Sequence, residues 1–297
     1  MDARAIAMGI AFALMWSSAF TSARIIVADA SPLFSLALRF LVSGLIGVGI
    51  AWAMGQTWRL NRIQWRATII FGVCQNALYL GLNFVAMQTI QASLAAIIAA
   101  TMPLLVALAS WLLFKERLKP LGIAGLMAGV LGVGLIMGTR INSGVDLYGV
   151  ALCGIGVLAL TVATLALRGA TSGGNFMMVV GLQMLIGSSL LFVAALFFED
   201  IYINPTMSLA LAFAYTTLVP GLIATFIWVL LLNRIGAMRA ATFHFLNPVF
   251  GVAVASVLLG EHLGVMDMVG VLIVTIGILA VQLSRQPATA AKPVIAE

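Results

Sequence analysis

Charge is what this sequence most lacks. Asp, Glu, Lys and Arg make up 8% of its 297 residues and hydrophobic residues 63%, whereas soluble domains carry about 25% charged residues. So few charges cannot cover a water-facing surface, which excludes a soluble enzyme or binding module and places the chain in a bilayer. Cysteine and histidine are nearly absent, at two each. Cys74 and Cys153 both sit in apolar runs, where a free thiol serves as a small hydrophobe. No Cys/His cluster has metal-ligand spacing, so neither metal nor cofactor is expected. The net charge of +6 is spread over loops between apolar segments, which is a membrane-topology signal and not a nucleic-acid surface.

A helix needs about 20 apolar residues to cross a bilayer. Ten such runs are present: 6–27, 32–54, 67–87, 92–114, 121–138, 147–167, 176–198, 207–232, 240–259 and 265–283. Arg4 followed by an apolar run imitates a signal peptide, but the run continues past its small residues and reads as the first span. The longest connection is 55–66, and the segment 284–297, with Pro287 and Pro293, reads as a disordered cytoplasmic tail. With the N-terminus inside, Arg4, Arg59, Arg62, Arg66, Lys115, Arg117, Lys119, Arg168, Arg234, Arg239, Arg285 and Lys292 share one side. Only Arg24, Arg39 and Arg140 fall on the other, so both termini are expected in the cytoplasm.

The chain also matches itself at an offset of 145 residues. Pro103 pairs with Pro248, and Glu116-Arg117-Leu118 with Glu261-His262-Leu263. Gly125 and Gly132 pair with Gly270 and Gly277. The match runs without a gap from the third to the fifth span against the eighth to the tenth. An odd number of spans per unit inserts the second unit upside down. The expected fold is therefore an all-α integral membrane protein of ten transmembrane helices. They form two inverted five-helix repeats (1–140 and 145–283) around a central cavity, the architecture of secondary transporters.

These residues resemble the EamA-type members of the drug/metabolite transporter superfamily. The resemblance is carried by Trp16-Ser17-Ser18-Ala19-Phe20, by Ser31-Pro32 with Leu38-Arg39-Phe40, and by the two Pro…Glu-x-Leu stretches above. Ser17 stands where the family usually has Gly, which leaves the local cavity width open. The resemblance implies a ten-helix basket whose cavity is lined by helices one to four and six to nine, with five and ten outside. It also implies export of amino acids or other metabolites across a bacterial inner membrane. More narrowly, the aromatics and polar residues are similar to those of aromatic amino acid exporters.

Candidate substrate residues are the polar and aromatic groups inside the apolar runs. Gln75, Tyr79 and Asn83 share one face of the third span, with Asn76 at its edge; they either line a cavity or bond between helices. Trp16, Thr101, Gln183, Trp228, His244 and Asn247 are the other candidates, His244 being either a substrate contact or a buried structural histidine. Arg39 either snorkels to the interface or anchors an anion. Pro103 and Pro248 are kinks that can serve as hinges. Trp52, Trp58 and Trp65 fit the membrane interface.

No carboxylate falls near the middle of a span, which favours a facilitator or exchanger over a proton-driven pump. A membrane enzyme lacks a converging catalytic set, and Glu116 and Glu261 lie on opposite sides. A channel stays as an alternative, as do drug, sugar or nucleotide substrates. The expected partners are a small-molecule substrate and the lipid bilayer. The face formed by Gly122, Gly125, Gly129 and Gly132 allows close packing within the chain or with a second copy, and a monomer is favoured over a homodimer.

Overall fold

The computed structural model describes residues 2–166 and 174–285. Ten of its helices are long and apolar enough to span a membrane: α1 (Ala3–Asp29), α2 (Pro32–Ala53), α3 (Arg62–Ala86), α4 (Ala92–Phe114), α5 (Pro120–Asn142), α6 (Leu147–Ala166), α7 (Phe176–Phe198), α8 (Met207–Ile235), α9 (Arg239–Leu259) and α10 (Val265–Arg285). Arg168, Pro287, Lys292 and Pro293 lie outside the described residues, as does the expected tail from 286 onward. Ser284 and Arg285, expected in that tail, are the last residues of α10.

Helix α3 begins five residues before the expected run. Asn61 accepts from the Gln64 N–H and the Gln64 side chain accepts from the Asn61 N–H, both at 2.9 Å. This reciprocal cap starts the helix in the polar interface, and hydropathy alone does not register it.

The repeat extends to irregularities of the backbone. Helix α3 opens into a π-helical stretch at Gly72–Tyr79, and α8 does the same at Val219–Ile223, at matching positions under the 145-residue offset. Wide turns of this kind are frequent at functional sites. Helix α4 breaks at Thr101, two residues before Pro103, and α9 tightens to a 3-10 turn at Phe243–Leu246 before Pro248. The cause is common to both: proline lacks an N–H and its ring displaces the carbonyl one turn back. The two helices end on left-handed residues, Lys115 with φ 54° and Gly260 with φ 65°, again 145 positions apart.

Helix α5 packs along α10 at the edge of the bundle, joined to it by the glycine face. A Cβ on Gly125 would lie 2.7 Å from the Gly277 carbonyl oxygen, and one on Gly132 2.9 Å from that of Gly270. Only glycine permits this approach, and the face is used within the chain. Outward-facing apolar side chains such as Phe198 and Val257, 83% and 82% exposed, suit surroundings of acyl chains better than water. Trp52 and Trp58 are exposed at the end of α2 and in the following loop.

The two ends of the bundle are built differently. Opposite the N-terminus, Ile26, Leu36, Phe84, Met87, Ile90 and Leu94 are buried in the largest core cluster, which extends along the bundle as far as Val180 and Val281. Acids from one repeat cap helices of the other around it. Glu199 accepts from the Leu33 and Phe34 N–H groups at 2.7 and 3.1 Å, and Glu261 from those of Ala92 and Ser93 at 2.7 and 2.9 Å. Both place negative charge on the positive end of a helix. At the N-terminal face the buried clusters are smaller, one around Ala5, Leu231, Ala240 and Phe243 and one around Ala51, Met177 and Met178.

Candidate functional site

One cavity of about 420 Å³ occupies the interior. It starts in the middle of the bundle, at Phe20, Arg39 and Pro220, and runs to the face carrying the N-terminus. There it reaches Phe176, the first residue of α7, and Arg285, the last of α10. Every helix but α5 contributes to its wall. The presence of Gln282 and Arg285 corrects the expectation that α10 stands apart from the cavity. A pocket of about 40 Å³ continues past Asn83, Phe84 and Met87 toward the other end, where the buried core closes it. Arg24 also donates to the Met87 carbonyl there, tying α1 to the end of α3.

The wall near the N-terminal face is aromatic. Phe12 stacks on Trp228 with ring centroids 4.5 Å apart and lies 5.7 Å from Trp16. His244 meets Trp228 edge-on at 5.1 Å and Phe12 at 5.5 Å. Its Nδ1 faces the Ala241 carbonyl at 3.2 Å, which in the Nδ1–H tautomer leaves Nε2 as an acceptor. Helices α1, α8 and α9, drawn from both repeats, supply this cluster. Trp16, Trp228 and His244 stand out in the sequence as candidates; Phe12 does not, because a phenylalanine in an apolar helix carries no sign of the face it occupies.

The polar wall lies on α3 and α7. Gln75, Asn76 and Tyr79 fall within the π-helical stretch and all line the cavity, as does Gln183. The Asn76 amide also donates to the Gln183 carbonyl at 2.9 Å, so this residue both lines the cavity and holds α3 to α7. Asn247 lines it from α9; its backbone carbonyl accepts from the Ser17 hydroxyl at 3.2 Å, and its buried Oδ1 has no partner among the described residues. Pro103 reaches the wall from α4.

Arg39 is the unusual member. It is 5% exposed, which rules out the snorkelling expected of an arginine near a helix end: its side chain points into the bundle and lines both the cavity and the smaller pocket. Its guanidinium makes no ion pair and no hydrogen bond among the described residues, and Nε is buried without a partner. It lies 5.0 Å from the centroid of the Phe40 ring. A Cβ added to Gly221, in the π-helical stretch of α8, would sit 3.5 Å from Arg39 Nη2, 3.5 Å from Ser43 Oγ and 3.1 Å from the Thr216 carbonyl. The glycine leaves this polar corner open.

Three candidates stand elsewhere. Asn83 is absent from the main cavity: its amide donates to the Tyr79 carbonyl at 2.7 Å and its Oδ1 faces the Cys153 thiol at 3.3 Å, joining α3 to α6. Interhelical bonding, the other reading of that polar face, is what it does, and Cys153 is more than filler. The Thr101 hydroxyl turns back to the Ile98 carbonyl at 2.6 Å, satisfied by its own helix at the break. Pro248 shapes α9 without lining the cavity. Among the described residues no three His, Cys, Asp or Glu side chains converge as for a metal ion, and no Asp or Glu lines the cavity.

Residues 3–138 and 147–283 each match the EamA-like transporter family. The uncharacterized inner membrane transporter YedA of Escherichia coli strain K12 is 27% identical, over 97% of this chain and 94% of that protein. The uncharacterized transporter sll0355 of Synechocystis is 26% identical, over 92% of this chain and 88% of its own length. A crystal structure with 21% identity superposes with a TM-score of 0.68, covering 95% of this chain and 99% of the other, which shows a shared fold.

Proposed function

The chain belongs to the EamA-like transporter family, and we propose that it exports small metabolites, foremost amino acids including aromatic ones, by alternating access through the central cavity. The observation that carries this reading is a solute-sized cavity, built from both repeats, that reaches one face and is shut at the other. Phe12, Trp16 and Trp228 offer flat apolar surface to a ring. Gln75, Asn76, Tyr79, Gln183, His244 and Asn247 offer hydrogen bonds at a polar end. Pro103 and Pro248 interrupt their helices at repeat-related places and serve as hinges.

No Asp or Glu among the described residues lines the cavity, which supports a facilitator or exchanger driven by the substrate gradient, because proton relays in transporters commonly use membrane-embedded carboxylates. The distribution of Lys and Arg supports an inner-membrane protein with both termini in the cytoplasm. The open face then points inward, as an exporter awaiting substrate requires. Packing of the glycine face inside the chain supports a monomer, and the two matches support repeat units close to 1–140 and 145–283.

Counterflow in proteoliposomes tests this. Vesicles preloaded with unlabelled amino acids should accumulate labelled tryptophan or phenylalanine saturably, and Trp228→Ala should reduce that uptake about tenfold or more. Folded protein showing no counterflow with any amino acid would remove the amino-acid assignment.

A further inference from the structure

We infer that Arg39 is the anion-binding group of the cavity, so that the carried solute must bear a carboxylate or equivalent anionic group and need not bear an ammonium. The inference rests on the cavity being the transport site. Three observations lead to it. Arg39 is a buried cation with an orphan Nε and no counter-ion among the described residues. Arginine keeps its charge in proteins, and its planar fork matches a carboxylate in two parallel hydrogen bonds. An unpaired charge held in a low-dielectric interior is costly for the empty protein, and an incoming anion removes that cost.

The second observation is the corner around it. Gly221 has no side chain to fill the space beside Arg39 Nη2, and Ser43 Oγ and the Thr216 carbonyl border the same point. Pro220, four residues after Thr216, has no N–H to offer that carbonyl, and the helix takes its wide π-helical turn here, beside the guanidinium. The third is the balance of charge along the whole wall. Among the described residues its only fully charged side chains are Arg39 and Arg285, and none of them brings a carboxylate to fix an ammonium. Arg285, at the mouth, is already engaged, donating to the Ser110 hydroxyl at 2.9 Å with Glu116 3.8 Å away. The unpartnered Oδ1 of Asn247 is a neutral acceptor, which takes an N–H or an O–H equally and imposes no charge. The ring of the solute then lies toward Phe12, Trp16 and Trp228.

The test is thermal unfolding of the purified full chain with three probes of one shape: phenylacetate, phenylalanine and phenethylamine. Phenylacetate and phenylalanine should raise the melting temperature, and phenethylamine should not. Arg39→Met should weaken binding of both carboxylates about 10- to 100-fold, the range for losing a charge-assisted hydrogen bond, and Arg39→Lys should keep part of it. Arg39→Met without ligand should melt no lower than the wild type, because the charge it removes is unpaired; a purely structural arginine would lower it. Phenethylamine binding as well as phenylacetate, carboxylate binding unchanged in Arg39→Met, or chloride alone reproducing the full shift would each overturn the proposal. No binding of any probe would also overturn it. If phenylacetate binds through Arg39 while amino acids give no counterflow, the amino-acid reading falls and this one stands. Amino-acid counterflow that survives in Arg39→Met would do the opposite, overturning the role of Arg39 and leaving the amino-acid reading in place.

Discussion

The same chemical pair appears at both ends of the molecule and does different work at each. Opposite the N-terminus, Arg140 and Asp267 meet at 2.9 Å with side chains only 12% and 7% exposed, and Thr139 donates to the same carboxylate at 3.1 Å. Arg140 Nη2 approaches without hydrogen-bond geometry and is otherwise unpartnered, so the attraction is Coulombic, in a setting where little water screens it. At the N-terminal face, Arg234 and Asp2 form an ion pair with side chains 41% and 50% exposed. Burial, not pairing, therefore separates the two ends. Where the cavity is shut, charges are enclosed with the core and tie the ends of α5 and α10. Where it is open, the pair stands in solvent and joins only the start of α1 to the end of α8.

Cutting each pair puts that contrast to the test. Asp267→Ala removes the counter-ion of a largely enclosed Arg140, which keeps only its bond to Gln91; losing a buried pair costs up to about 3–5 kcal/mol, so a clear fall in melting temperature should follow, and Asp267→Asn should recover part of it through Thr139. A fall no larger than that from a surface substitution would show that the closed end is not held by this pair. Asp2→Asn should change the melting temperature little, since an exposed pair is screened.

Its trace should be visible only in acid. Arg234 beside it, and the Ala5 N–H, hold the Asp2 carboxyl at about 2 against an ordinary value of 3.8. A lowered value in the folded state means that the contribution is complete above about pH 4 and is lost as the pH falls toward 2. Wild type and Asp2→Asn should therefore converge in stability over that window and differ slightly above it. A difference that grows on acidification would contradict the assignment.

Much of this is legible in the sequence because a bilayer magnifies exceptions. Ten spans stand out as apolar runs, and the offset between Pro103 and Pro248 announces the repeat that the π-helical stretches and left-handed residues then follow. Trp16, Gln75, Asn76, Tyr79, Gln183, Trp228, His244 and Asn247 stand out as polar or large groups within those runs, and the structure gathers them around one cavity. Asn83 and Thr101 look equivalent by type and face. Off the main cavity wall, they meet the Cys153 thiol and the Ile98 carbonyl instead, a placement that spacing along the chain does not encode. Phe12 and Phe176 are hidden among other apolar residues, and Gly221 acquires meaning only from its closeness to Arg39. Gln282 and Arg285 lie where hydropathy predicts a helix end and a tail.

Alternating access requires the cavity to communicate with one side at a time. In a background lacking Cys74 and Cys153, a single cysteine in place of Thr164, on the cavity wall, can be challenged with a membrane-impermeant maleimide in sealed right-side-out and inverted vesicles. Labelling should be rapid from the side of the N-terminus and slow from the other, with transported solute changing the ratio. Equal, solute-independent labelling from both sides would mean a continuous pore and would contradict alternating access.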